Sequence, residues 1–181
     1  MSDPTAAARD DADAVLRALR RTRQVRSFTA EPVADEDLRA ILEVARWTGS
    51  SINRQPWTFV VIRNKADRER LAQLAHYARH VGGAALAIAI VMNGENAEWD
   101  AYDEGRAAER ILVAAGALGL GAGIGWAEEP ERPAVGTFLG VTGPAFVRTI
   151  ISLGHPTPAA RQPRSGPGTG RRPLDELVRE R

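Results

Sequence analysis

Ser50-Ser51-Ile52-Asn53-Arg54-Gln55-Pro56-Trp57 is the stretch on which the reading of this chain turns, taken together with Arg23-Gln24-Val25-Arg26-Ser27-Phe28 upstream. It gathers hydroxyls, two carboxamides, a proline and an indole just ahead of an apolar run, Thr58 to Ile62. Neutral donors and acceptors on a short, proline-stiffened loop suit a planar polar heterocycle better than a metal ion or a nucleophilic centre. The competing reading is a polar turn that merely enters a strand. In the upstream segment, Arg23 and Arg26 stand where two guanidiniums could share one phosphate. Here the alternative is a solvated basic stretch, since Arg17, Arg20 and Arg21 lie alongside.

Working outward, residues 1–12 read as an alanine-rich, flexible lead-in. Asp13 then caps a helix that carries Val15, Leu16 and Leu19 on one face. Asp35, Glu36 and Asp37 favour the positive end of a second helix, in which Leu38, Ile41, Leu42 and Ala45 form an amphipathic stripe. Trp57 to Ile62 is β-branched and aromatic, hence a strand. Asp67 to His80 returns to helical spacing through Leu71, Leu74 and Ala75, and Gly82-Gly83 ends it. Ala84 to Met92 reads as a buried strand, and Asn93-Gly94 as a turn. Trp99 to Leu118 is a long helix with a small-residue face. Gly121 to Trp126 follows as a glycine-rich strand, Glu131 to Leu139 as a short helix and Phe146 to Leu153 as a further central strand. Residues 155–172 form an extended arm rich in proline and glycine, and Leu174 to Arg181 closes with a turn or two of helix. The expectation is an α+β fold: one domain over 13–181, with helices flanking a central sheet of four or more strands.

Composition narrows the function. The chain has 181 residues, with 24 Lys+Arg against 23 Asp+Glu, so no whole-molecule field draws it to nucleic acid or anionic lipid. The absence of cysteine excludes disulfides, iron–sulfur clusters and thiolate chemistry. No hydrophobic segment follows Met1, and Ala84 to Met92 is too short to span a bilayer. The expectation is a soluble, cytoplasmic protein with neither membrane nor nucleic-acid partners.

Other constellations are weaker. Gly119-Leu120-Gly121-Ala122-Gly123-Ile124-Gly125-Trp126 lacks the G-x-G-x-x-G spacing of a dinucleotide fingerprint and leaves a helix instead of opening one. Missing Cβ atoms there suit close backbone approach, to a ring or to packed structure. His76 and His80 have helical metal-ligand spacing but no third ligand nearby, so no metal is expected. No serine–histidine–acid arrangement and no Walker lysine stands out. Trp99 and Tyr102 have two equal readings, as stacking groups over a substrate or as anchors between surface and core.

The pattern Arg23-x-x-Arg26-x-Phe28, the Pro32-Val33 helix entry and Ser50-x-x-Asn53-x-Gln55-Pro56-Trp57 together resemble the FMN-dependent nitroreductase family. The resemblance continues through Asp103-Glu104-Gly105-Arg106, Gly119-Leu120-Gly121 and Arg171-Arg172-Pro173-Leu174. It implies a mostly antiparallel sheet in an intertwined homodimer, with FMN as cofactor and NAD(P)H as reductant. It implies cofactor contacts from Arg23, Gln24, Arg26, Ser50, Ser51, Asn53, Gln55, Arg171 and Arg172. Backbone N–H groups of Ile124, Gly125 and Trp126 would face the flavin, and the 50–55 loop would serve the flavin held mainly by the partner subunit. Gln24 stands where the family often has serine. The chemistry implied is the cofactor's, with no catalytic side chain: ping-pong hydride transfer to a nitroaromatic, quinone or similar small-molecule electron acceptor. A specialised branch (a flavin-cleaving benzimidazole synthase or a reductive dehalogenase) and a non-catalytic flavin-binding module are the alternatives.

Overall fold

The computed structural model describes residues 4–162 and 170–181, with side chains from Arg9 onward. Four strands form one sheet in the order β1-β2-β4-β3, every pairing antiparallel: β1 (Trp57–Ile62), β2 (Leu86–Met92), β3 (Gly121–Trp126) and β4 (Phe146–Gly154). Between and around them lie α1 (Pro4–Arg21), α2 (Asp35–Arg46), α3 (Lys65–Leu74), α4 (Ala97–Ala117), α5 (Arg132–Phe138) and α6 (Pro158–Arg161). Two 3₁₀ segments matter here, Ser51–Asn53 and His76–Gly83. The α+β fold with a mostly antiparallel sheet is as expected. Among the described residues, no helix is long and apolar enough to cross a membrane.

The period-2 alternation of β2 divides the core. Leu86, Ile88, Ile90 and Met92 face the layer of α2 and α4, against Ile41, Ala107, Ile111 and Ala115. Ala87 and Ala89 face the other layer, against Leu71, Ala78, Val81 and Val135. Ladder pairing shifts register between Ile90 and Val91, so that Ile90 opposes Thr149 and Val91 opposes Val147. Arg148 is thereby left over as a bulge, and bulges re-aim side chains. Its guanidinium reaches Glu104, buried on α4: Arg148 Nε donates to Glu104 Oε2 at 2.7 Å, and the Thr149 N–H donates to Oε1 at 3.0 Å.

Three expectations need correction. The first helix begins at Pro4, not at Asp13; an alanine-rich sequence of high helix propensity extends it by two turns and more. The helix expected over 67–80 breaks at Ala75 (φ −124°, ψ 109°), and His76–Gly83 continues as 3₁₀. That helix starts at Lys65, capped by Asn64, whose side chain accepts from the Ala66 and Asp67 N–H groups. The proline-rich arm contains one helical turn, α6; its residues 163–169 lie outside the described residues.

Candidate functional site

The Gln24–Arg26 segment runs along the outer edge of β3. The Val25 N–H donates to the Ala122 carbonyl at 2.8 Å, and the Ile124 N–H donates to Gln24 Oε1 at 2.9 Å. Arg26 Nη2 donates to the same Gln24 oxygen at 3.2 Å. The longer side chain of glutamine, in place of serine, makes this bridge to the strand possible.

The glycines explain how the segment fits. A Cβ at Gly123 would stand 2.4 Å from the Val25 carbonyl oxygen, and one at Gly121 2.7 Å from Val25 Cγ1. At Gly125 it would stand 2.7 Å from Ala78 Cβ. Gly121, Gly123 and Gly125 share one face of β3 by the strand period, so the run of alternate glycines admits both the Arg26 segment and the 3₁₀ segment 76–83. Alternation also sorts the three backbone donors. Ile124 and Trp126 turn their N–H groups to the open edge, whereas Gly125 turns its own toward β4. The Ile124 donor is held by Gln24, which leaves Trp126 as the edge donor without a hydrogen-bond partner among the described residues.

A cleft of about 270 Å³ opens beside this segment, lined by Arg23, Gln24, Arg26, Ser27, Thr157 and Gln162 among others. No carboxylate lines it, and among the described residues none pairs with Arg26. Arg23 is otherwise engaged: its guanidinium donates to the carbonyls of Ala160 (3.0 Å), Gln162 (3.1 Å) and Arg161, closing the C-terminal end of α6. Arg172 pairs with Glu176 at 3.2 Å on an exposed surface, and Arg171 is exposed beside it. No described hydrogen bond or ion pair joins either of them to Arg23 or Arg26.

The second cluster is the 50–55 loop. Ser50 Oγ accepts from the Gln55 N–H at 2.8 Å, and the Asn53 N–H donates to the Ser50 carbonyl. Ile52, Asn53 and Gln55 have φ of 46°, 57° and 49°, a left-handed backbone that is costly for a β-branched residue. Ile52 is also 89% exposed. Ser51, Asn53 and Gln55 are exposed too, so the loop presents its polar groups outward. Arg54 holds it from beneath. Its Nη2 lies 3.4 Å from Asp100 Oδ1 and 3.7 Å from Asp103 Oδ2, and its guanidinium stacks over the Trp99 ring at 5.0 Å. Tyr102, one turn further along, is 71% exposed under Arg106.

The two clusters stand at opposite edges of the sheet. The 50–55 loop enters β1, whereas the Arg26 segment borders β3. Three interstrand steps separate them, on the order of 14 Å. One chain therefore does not close the expected site around a single ligand.

Sequence reasoning gave no structural role to Arg54 or the buried Asp100, Asp103 and Glu104, and weighed His80 only as a metal ligand. The signal for the acids was available: three carboxylates at helical spacing interrupt the face that carries Ala107 and Ile111, where only paired charges are tolerated. His76 and His80 do not share a face on a 3₁₀ turn; His76 Nδ1 meets Arg79 Nη2 at 2.9 Å, and His80 turns inward. Among the described residues, no group of three His, Cys, Asp or Glu side chains is placed to hold a metal.

Comparison with known proteins bears on this geometry. Residues 19–89 match the model of the Nitroreductase family. A relative from Methanothermobacter thermautotrophicus, named "Putative NADH dehydrogenase/NAD(P)H nitroreductase", is 31% identical over 78% of this chain and 77% of its own length. The chain belongs to the nitroreductase family. An NADH dehydrogenase of Thermus thermophilus is 27% identical over 92% of the chain and 95% of its own length. The solved structure of an NADPH:FMN oxidoreductase from Vibrio harveyi, complexed with NAD+, superposes with a TM-score of 0.80 at 26% identity, covering 92% of this chain and 76% of that one.

Proposed function

We propose that this nitroreductase-family chain is an FMN-dependent oxidoreductase that uses NAD(P)H to reduce nitroaromatics, quinones or similar electron-poor acceptors in a ping-pong cycle. The observation that carries the reading is the cationic cleft beside β3, where Arg26 meets no carboxylate among the described residues and Gln24 ties it to the Ile124 backbone. That donor set fits a phosphate monoester followed by a polar chain, as FMN provides. When bound, FMN supplies the hydride chemistry, which accounts for the lack of a side-chain nucleophile or acid–base pair.

The residues of this chain bind and orient. Arg26 supplies the charge opposite the phosphate, with Ser27 and the edge of Arg23 lining the same cleft. The Trp126 N–H, on the open edge of β3, would donate to the ring. The 50–55 loop would offer Ser51, Asn53 and Gln55 to a second ring, and Trp99 and Tyr102, exposed in the first turns of α4, would stack on a substrate. Because the two clusters lie at opposite sheet edges, a second copy of the chain completes each site, giving two sites per homodimer. The exposed Val15, Leu16 and Leu19 on α1 give that copy an apolar face to cover.

The test is direct. The purified protein is expected to be yellow, to release FMN rather than FAD on denaturation, and to oxidise NADH or NADPH with a quinone. Release of FAD, or no flavin even after reconstitution, overturns the reading.

A further inference from the structure

His80 sits where the two parts of the β3 edge meet, and its hydrogen bonds do not balance for a neutral ring. Its Nδ1 is 2.8 Å from Ser152 Oγ and its Nε2 is 3.3 Å from the Ile124 carbonyl. Ser152 Oγ in turn donates to the Gly123 carbonyl at 3.2 Å. If the serine hydroxyl serves Gly123, the Nδ1 must donate to it. The Nε2 must also donate, because a carbonyl only accepts. Both donations together need the imidazolium. A neutral ring, with one N–H, leaves either Ile124 or the Ser152–Gly123 link unmade.

Opposing this demand, burial and the neighbouring charge of Arg26 hold His80 below its ordinary value of 6.5, and the Ile124 carbonyl offsets only part of that. Other charged groups packed on the 76–83 segment are Arg68 and Glu69 from α3 and Glu131, whose Oε1 accepts from the His76 N–H at 3.0 Å, while the segment itself carries His76 and Arg79; Arg148 of β4 is turned to Glu104. Arg26 is the charge that acts on His80. The same Arg26 is bound to Gln24, which holds the Ile124 N–H, so the N–H and the C=O of Ile124 both answer to one cationic group.

We propose that His80 is a proton-linked positioning residue: an anion seated on Arg26 is matched by a proton taken up on the imidazole, which then holds Ile124 and Ser152 at once. The inference rests on the reading above, that Arg26 faces the FMN phosphate. Neutralising Arg26 removes the charge repulsion that adds to burial in holding His80 neutral, and the two acceptors facing the ring, Ser152 Oγ and the Ile124 carbonyl, favour its charged form. Phosphate binding thereby stiffens the β3 edge and fixes the backbone next to the Trp126 donor. Riboflavin, which lacks the phosphate, has no such effect.

The chain has three histidines, so their ring resonances can be followed individually by nuclear magnetic resonance across pH 5–8 in the full-length protein. His80 is assigned by its loss in H80Q or, if that variant fails to fold, by elimination with H76N and H155N. With saturating FMN, the His80 midpoint is expected to move to higher pH by about half a unit or more, and with riboflavin it is expected to stay. Calorimetry in buffers of different ionisation enthalpy should show proton uptake on FMN binding in the wild type that is absent in H80Q. The difference between the two cancels titration of the phosphate itself. FMN that binds in an Arg26-dependent way without moving His80, or riboflavin that moves it equally, overturns the inference and leaves the cofactor assignment standing. FMN that fails to bind at all overturns both.

Discussion

At Arg26 and Arg23 one sequence pattern resolves into two different jobs. Spacing alone made them equivalent halves of a phosphate clamp, yet Arg23 closes the end of α6 through three carbonyls while Arg26 faces an acid-free cleft. Arg26→Ala should therefore weaken FMN binding by about 1.5–3 kcal/mol, one to two orders of magnitude in Kd, and leave riboflavin binding nearly unchanged. Arg70→Ala, on an exposed face of α3, is the control. Equal losses for both flavins would show general destabilisation instead. At Ile52 the left-handed backbone opposes the side chain it carries. Asn tolerates that region better, so Ile52→Asn should raise the urea midpoint by the equivalent of about 0.5–1 kcal/mol; a lower midpoint would mean that the exposed isoleucine contributes packing. Neither the division of labour between the arginines nor the strain at Ile52 was readable from spacing, because both depend on a segment distant in sequence or on loop closure.

Elements were legible wherever a single period ran through them. The strands β1, β2, β3 and β4 and the helices α2, α4 and α5 fall close to where alternation and helical spacing place them. The failures have specific causes. Leu71, Leu74 and Ala75 continue a helical stripe into the 76–83 segment, and nothing local announces that Ala75 turns extended. That turn brings Ala78 onto Gly125 and aims His80 at β3. Gly125→Ala should thus cost about 1–3 kcal/mol through overpacking, measured by chemical denaturation, whereas Gly83→Ala, with open space around its Cβ, should cost far less. A similar cost at both positions would mean that conformational freedom, not close approach, selects the glycine. The β4 bulge was equally invisible, because it exists only in pairing. It makes Arg148 the partner of buried Glu104, so Glu104→Ala strands a cation and should cost about 3–5 kcal/mol.

Over the whole molecule, the two clusters that the resemblance assigned to flavins shared between subunits lie on opposite sheet edges, and this separation makes a particular kind of rescue possible. In a homodimer with shared sites, each flavin would take its phosphate contacts from one subunit and its ring contacts from the 50–55 loop of the other. Arg26→Ala disables the first half and Asn53→Ala with Gln55→Ala disables the second, so either homodimer should bind FMN poorly at both sites. Mixing the two variants under conditions of subunit exchange produces heterodimers in which one site carries both defects and the other carries none. With random exchange half the dimers are mixed, and total high-affinity FMN binding should recover to about a quarter of the wild-type level. The intact sites should have wild-type Kd, and sedimentation should show dimers throughout. If each chain built its own site, mixing would restore nothing, because every site would retain one lesion. A monomer that binds FMN with full affinity would likewise contradict the shared arrangement and return the 50–55 loop to a merely structural role.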